Sequence, residues 1–298
     1  MNAAILRPAK SPPAGTIRSG AVTAVVCLAL AAVVAAMSSL TIASIVLGCV
    51  LSGSLFGMWL GCRLPEPHRS AESHDAIKLA TGMLSVLAAL VLGLLIASVK
   101  NSFDTTDTQI RHFAATLILL NQTLADYGPE TAEARDMLRR YTHRALADNW
   151  PTDKAAPIKM EDVEAGKLLD GARGGILALS GGDARREALR SAAASLVEDA
   201  LKTRWLLIER AESSIQPLFL EILIAWITLI FISFGYSAPR NATVAASFGL
   251  SAVALAACIF LIVEMDTPFE GQITVSSTQM RNALAHMTPE PEAAAQNR

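Results

Sequence analysis

Charge is scarce in this sequence. Only 17% of its 298 residues are Asp, Glu, Lys or Arg, against 52% hydrophobic, and the mean hydropathy is +0.40. An ordinary soluble core cannot take up that much apolar surface, so the composition excludes a soluble globular protein and makes this a membrane protein. Aromatic residues make up only 5%, so the apolar excess is aliphatic. Neither sign of charge dominates: a formal net charge of −2 gives no electrostatic reason to expect nucleic acid or an anionic surface as partner. Cysteine is limited to Cys27, Cys49, Cys62 and Cys258, all within or at the ends of apolar runs. There they pack as small hydrophobes, which excludes a disulfide framework of the secreted kind.

Catalytic patterns are missing too. His68 and His74 in "HRSAESH" are spaced for neither a helical ligand pair nor a zinc loop, and no thiolate stands beside them. "GARGG" and "SGG" lack the preceding strand and the following Lys or Gly spacing of a phosphate cradle. No serine sits in a G-x-S-x-G elbow. The chain therefore reads as a non-enzyme with no metal site and no cofactor.

Long uncharged runs are what it does have. Residues 21–37, 40–61, 79–99, 217–236 and 241–263 can each span a hydrocarbon core, which takes roughly 20 residues of helix. The first two are separated only by Ser38 and Ser39. Arg7, Lys10 and Arg18 ahead of "AVTAVVCLALAAVVAA" also fit a signal peptide cleaved around Val34 to Ala36, so 1–37 is either a first span or a signal-like extension. The predicted fold is all-α, a polytopic helical membrane protein with five transmembrane helices and a soluble helical insert. Its parts are 1–37, spans two and three in 38–99, the insert 100–215, a transmembrane hairpin 216–264, and a tail 265–298.

The insert differs in kind, with sixteen Lys and Arg against eighteen Asp and Glu. Ile110, Phe113, Leu117, Leu120 and Leu124 recur at helical spacing up to Gly128, and Pro129 opens the next helix. That helix sets Met137, Leu138, Tyr141 and Ala145 on one face and pairs Asp136 with Arg140. "EDVEAGKLLDGARGGILAL" reads as a weak helix broken by glycines. A long helix capped by Asp183 follows, with the option of running straight into the span at 217. The tail turns at Pro268 and Gly271, passes through an extended "QITVSS", and carries a short helix with Met280, Leu284 and Met287 aligned to dock on protein or membrane surface. The final "TPEPEAAAQNR" reads as disordered.

Two stripes of small residues mark helix packing. Gly53, Gly57 and Gly61 form overlapping small-xxx-small repeats, and Ser85, Ala89, Gly93 and Ala97 repeat the pattern in the next span. Small residues let helices approach closely in lipid, within the chain or between subunits. Glu221 raises a different question. It stands one turn into "PLFLEILIAWITLIFISFGY", where an ionisable group is costly and usually faces protein or water. An antiparallel hairpin sets Ala256 and Ala257 near its depth. Glu264, Asp266 and Lys100 gather on the same side of the membrane, so these four form a candidate pore mouth. The alternative is structural: Glu221 pairs with Lys100, and Glu264 and Asp266 are interfacial.

Several stretches in order resemble the bestrophin-like family of bacterial multi-pass membrane proteins. They are "LPEPHRSAESHDAIKLATGMLSVLAALVLGLLIASVKNSFD", "LADYGPETAEARDMLRRY", "TRWLLIER", "FGYSAPRNATVAA" and "FLIVEMDTPFEGQITVSSTQMRNALAHM", covering about residues 44 to 288. The resemblance implies a four-helix membrane core, here 40–61, 79–99, 217–236 and 241–263, with 1–37 as an extension. Through the remote relation to bestrophin anion channels it implies a homo-oligomeric ion channel in the lipid bilayer of a bacterial inner membrane, with an inorganic ion as partner. It also implies a cytosolic insert. The charge count points the other way, since 1–19 and 62–78 each hold three Lys or Arg, which places the insert outside. A non-conducting scaffold or sensor whose insert binds a partner is the alternative function.

Overall fold

The computed structural model describes residues 39–63, 71–151, 158–159, 162–180, 182–211, 215–239 and 241–288. Among them the chain is helical and holds no strand. The elements are α1 (Ser39–Arg63), α2 (Ala71–Tyr127), a 3-10 turn (Pro129–Thr131), α3 (Ala132–Asn149), α4 (Val163–Leu177), α5 (Ala184–Ala211), α6 (Pro217–Ser237), α7 (Ala242–Asp266) and α8 (Thr278–Met287). Four of these helices, α1, α2, α6 and α7, are long and apolar enough to cross a membrane. The fold is thus the expected all-α polytopic one. The run at 21–37, with the choice between span and signal, lies outside the described residues, as does "PEPEAAAQNR".

The membrane layer packs α1 and α2 against α6 and α7, around Val46, Val50, Leu92, Leu223, Ile227 and Ile259. Lipid offers no hydrogen bonds, so hydroxyls in the spans turn back onto their own helix. Ser44, Ser54, Ser85, Thr228 and Ser247 each donate to the carbonyl four residues earlier, at 2.7 to 3.0 Å.

Where the sequence turns polar at Lys100, the helix does not end. α2 runs unbroken for 57 residues, a rod of roughly 85 Å at 1.5 Å per residue. Its first half gives Leu92 and Val99 to the membrane core, and its second half gives Ile110, Phe113, Leu117, Leu120 and Leu124 to the core of the insert. No Gly or Pro interrupts residues 94–127. The shift in hydropathy marks the membrane surface, not a helix boundary. α2 stops at Gly128, whose φ of 137° suits glycine alone.

In the insert, α3 sets Leu138, Tyr141 and Ala145 inward, and Asp136 pairs with Arg140 at 2.9 Å. The break expected in α4 is absent. Asp162 caps it by accepting from the N–H groups of Glu164 and Ala165, and its buried stripe of Ala165, Leu169, Ala172 and Ile176 holds it against α3 and α5. Tertiary burial here outweighs the poor helix propensity of four glycines. Asp183 caps α5, accepting from Arg186 N at 2.8 Å. α5 ends at Ala211 rather than entering the membrane, and α6 starts afresh at Pro217 behind an extended Gln216.

The tail folds back onto the insert. Met280, Ala283 and Met287 of α8 are buried against α2 and α3. The "QITVSS" segment forms no ladder; Val275 N donates to Pro268 O at 2.9 Å, and Trp150 Nε1 donates to Val275 O at 2.8 Å.

Candidate functional site

Glu221 lies in the second turn of α6. Its Oε1 is buried and finds no hydrogen-bond partner among the described residues. An unmatched carboxylate oxygen at membrane depth is costly unless it is protonated or meets water or an ion. Leu220 and Leu223 beside it are buried in the membrane core, whereas Leu218, Phe219 and Ile222 face outward.

The expected partner does not reach it. Lys100 pairs with Asp104 one turn further along α2, because a continuous helix places a carboxylate at i+4. The structural alternative of a Glu221–Lys100 pair is therefore corrected: α2 supplies its own counter-charge. Glu264 is only 2% exposed and turns to the tail, where its Oε1 accepts from the N–H groups of Gln272 and Ile273. That close approach requires Gly271, with φ of 86° and no room for a Cβ against the Glu264 carboxylate. Asp266, also buried, accepts from Ile215 N at 3.4 Å. It ties the end of α7 to the lead-in of α6. Of the four mouth residues, the structure brings Asp266 to the start of Glu221's helix, while Lys100 and Glu264 are engaged elsewhere. Ala256 is buried, and Ala257 lines a groove of about 310 Å³ between α2 and α7.

The two small-residue stripes separate. Gly53 faces Thr228, Gly57 faces Ile232 and Gly61 faces Tyr236, so α1 and α6 advance side by side in the same direction. A Cβ would stand 3.1 Å from Thr228 Cγ2 at Gly53, overlap the Ile232 carbonyl oxygen at Gly57, and stand 2.9 Å from Tyr236 O at Gly61. Gly235 answers from α6, its would-be Cβ overlapping Ser54 O. Sequence reasoning missed it, since a lone glycine in "FGY" shows no repeat. On α2 the stripe of Ser85, Ala89, Gly93 and Ala97 has no such neighbour among the described residues. There Ser85 is half-buried, the other three are exposed, and no described atom lies within 4 Å of a Cβ at Gly93.

At the far end of the layer His74 stacks on Tyr236, ring centroids 5.3 Å apart, which joins α2 to α6. His68 lies outside the described residues. Among the described residues no three metal-ligating side chains come together.

Comparison with curated proteins and with solved structures yields no match. A family model described as Bestrophin-like domain matches residues 48–280, from the middle of α1 through the whole insert into α8. Most of α1, the other three spans, the insert and the first part of the tail fall within that match, and the chain is a membrane protein belonging to the bestrophin-like family.

Proposed function

We propose that the chain is the subunit of a homo-oligomeric ion channel or transporter of bestrophin type, in the inner membrane of a bacterial cell. One observation carries the reading: the buried, unmatched oxygen of Glu221 inside a spanning helix. A carboxylate left unsatisfied at that depth is suited to meeting a hydrated inorganic cation or a proton in passage. The outward stripe of Ala89, Gly93 and Ala97 supports assembly, because it offers close approach to a further helix and is left open by the described residues. Asp266 at the start of α6 adds a second carboxylate on the insert side.

A non-conducting sensor is the second reading, favoured by the insert's own closed core on a helix continuous with a span. Oligomeric state in detergent, followed by flux in liposomes, separates the two. An oligomer that passes ions is expected; a monomer that passes none would overturn the channel in favour of the sensor.

A further inference from the structure

α1 buries one face and leaves the other open. Ile42, Val46, Val50, Gly53 and Gly57 are buried against α6 and α7. On the opposite face Thr41, Ser44, Gly48 and Ser52 are exposed, and no described atom lies within 4 Å of a Cβ at Gly48. These four recur every three or four residues and so line up along the helix. Lipid is as apolar as leucine, whereas hydroxyls and glycine in a span mark contact between helices. The far half of the same face is suited to lipid, with Leu55, Phe56 and Trp59 exposed. Ser44 and Ser52 donate to their own helix, at 2.8 Å to Leu40 O and 3.1 Å to Cys49 O, so the open half is a narrow, smooth seat for a neighbouring helix.

The chain itself carries the segment that fits. Its uncharged run 21–37 ends two residues before Ser39, where α1 opens. The contacts of Gly53, Gly57 and Gly61 with Thr228, Ile232 and Tyr236 put Ser39 at the level where α6 begins, the insert side of the membrane. A straight continuation of α1 back through 21–37 would push about 25 Å of uncharged helix out of the bilayer there. Links of about two to five residues join antiparallel helices, and Met37 with Ser38 is long enough. So short a link holds two helices in contact at that end, where facing side chains must be small. Ala24, Cys27, Ala31 and Ala35 recur every three or four residues, as the small residues of α1 do. Charge agrees with a crossing. It carries Arg7, Lys10 and Arg18 to the side of Arg63, Arg69 and Lys78, whereas without it these two short basic segments would face opposite sides.

We propose that residues 21–37 cross the membrane as a helix antiparallel to α1 and cover its face of Thr41, Ser44, Gly48 and Ser52. Residues equally far from the link share a depth, which sets Cys27 opposite Gly48. The contact stands whether or not the chain conducts ions.

The test uses the full chain in membranes, with Cys49→Ala, Cys62→Ala and Cys258→Ala leaving Cys27 as the native thiol. Adding Gly48→Cys brings a second thiol to the open face, within the roughly 7 Å between Cα atoms that a disulfide allows. Mild oxidation is expected to consume both thiols within one chain, read as lost maleimide labelling after denaturation, with monomer size kept on a non-reducing gel. Val50→Cys in place of Gly48→Cys, on the buried face of the same helix, should keep its thiols. In the otherwise native chain Gly48→Leu should lower the melting temperature by roughly 2–8 °C through overpacking. A glycine facing lipid would instead gain from the better helix propensity of leucine. The mass of the purified chain should include 21–37. A disulfide-linked dimer, which would put a second copy on this face, would overturn the proposal. So would surviving thiols at 27 and 48, an unlowered melting temperature in Gly48→Leu, or a chain cleaved around Val34 to Ala36.

Discussion

Gly57 and Gly93 look alike in sequence and sit in opposite settings. A methyl at Gly57 meets the Ile232 carbonyl, and α1 and α6 must separate along their whole contact. Gly57→Ala should therefore destabilise the membrane layer by about 1–3 kcal/mol, whereas Gly93→Ala, facing open space, should stay within roughly 0.5 kcal/mol in the monomer. Chemical unfolding in detergent compares the two; equal losses would mean that the α1–α6 approach is not as close as described. Asp148 makes a pH-dependent prediction. Burial and Asp162 raise its folded-state pKa, so its contribution to stability is present below the ordinary aspartate pKa and lost as pH rises through the folded value. At neutral pH the ionised group is a cost. Asp148→Asn copies the neutral form, so it should raise the melting temperature at about pH 7 and change it little near about pH 4. A fall at neutral pH would contradict this. The repeat of Gly53, Gly57 and Gly61 was legible because spacing alone carries it. Arg204 was not picked out, although it falls on the stripe of Ala193, Val197, Ala200 and Leu207 that faces the insert core. A lone Arg among surface charges reads as solvated until burial is known.

Among the elements, α2 differs most from its sequence reading. Hydropathy divides it at Lys100, and the helix does not: no Gly or Pro interrupts residues 94–127, and the burial of Val99, Thr106 and Ile110 carries it through the weak helix formers of 101–108. Spin labels at the exposed positions Leu79 and Leu119 should lie about 60 Å apart along a straight helix. A clearly shorter or broad distance distribution would show a hinge at the membrane surface. The tail is held by a different device. Glu264 gathers the N–H groups that the turn at Gly271 would leave unpaired, and Glu264→Ala should cost about 1–3 kcal/mol. Its expected sign is faster hydrogen exchange at Gln272 and Ile273 and in α8, with α1 and α6 unchanged. Uniform exchange across the chain would argue against a local lock. The described spans and the cap at Asp183 were legible because hydrophobic length and Asp at a helix start are local signals, while the cap at Asp162 was not picked out. The unbroken α4 was not legible, and for the tail helix docking was legible but the choice of the insert over the membrane surface was not, because both depend on burial against distant residues.

For the whole molecule, the described spans and the insert were readable from composition, and the pairing of spans was not. Which charged groups remain available was also hidden: Glu264 and Lys100 share a membrane face with Glu221 in the sequence reading, and only their partners set them apart. In the proposed channel Glu221 handles ions in passage rather than holding the fold. Because Lys100 already has Asp104, removing Glu221 strands no cation, so Glu221→Leu and Lys100→Met should act additively on stability. The most direct measurement is cation flux into liposomes containing the wild-type protein or Glu221→Gln, taken across pH. The amide is nearly isosteric, so the expected result is a folded, assembled protein whose flux or its pH dependence is altered. Wild-type flux that Glu221→Gln leaves unchanged at every pH, in an equally stable protein, would contradict it.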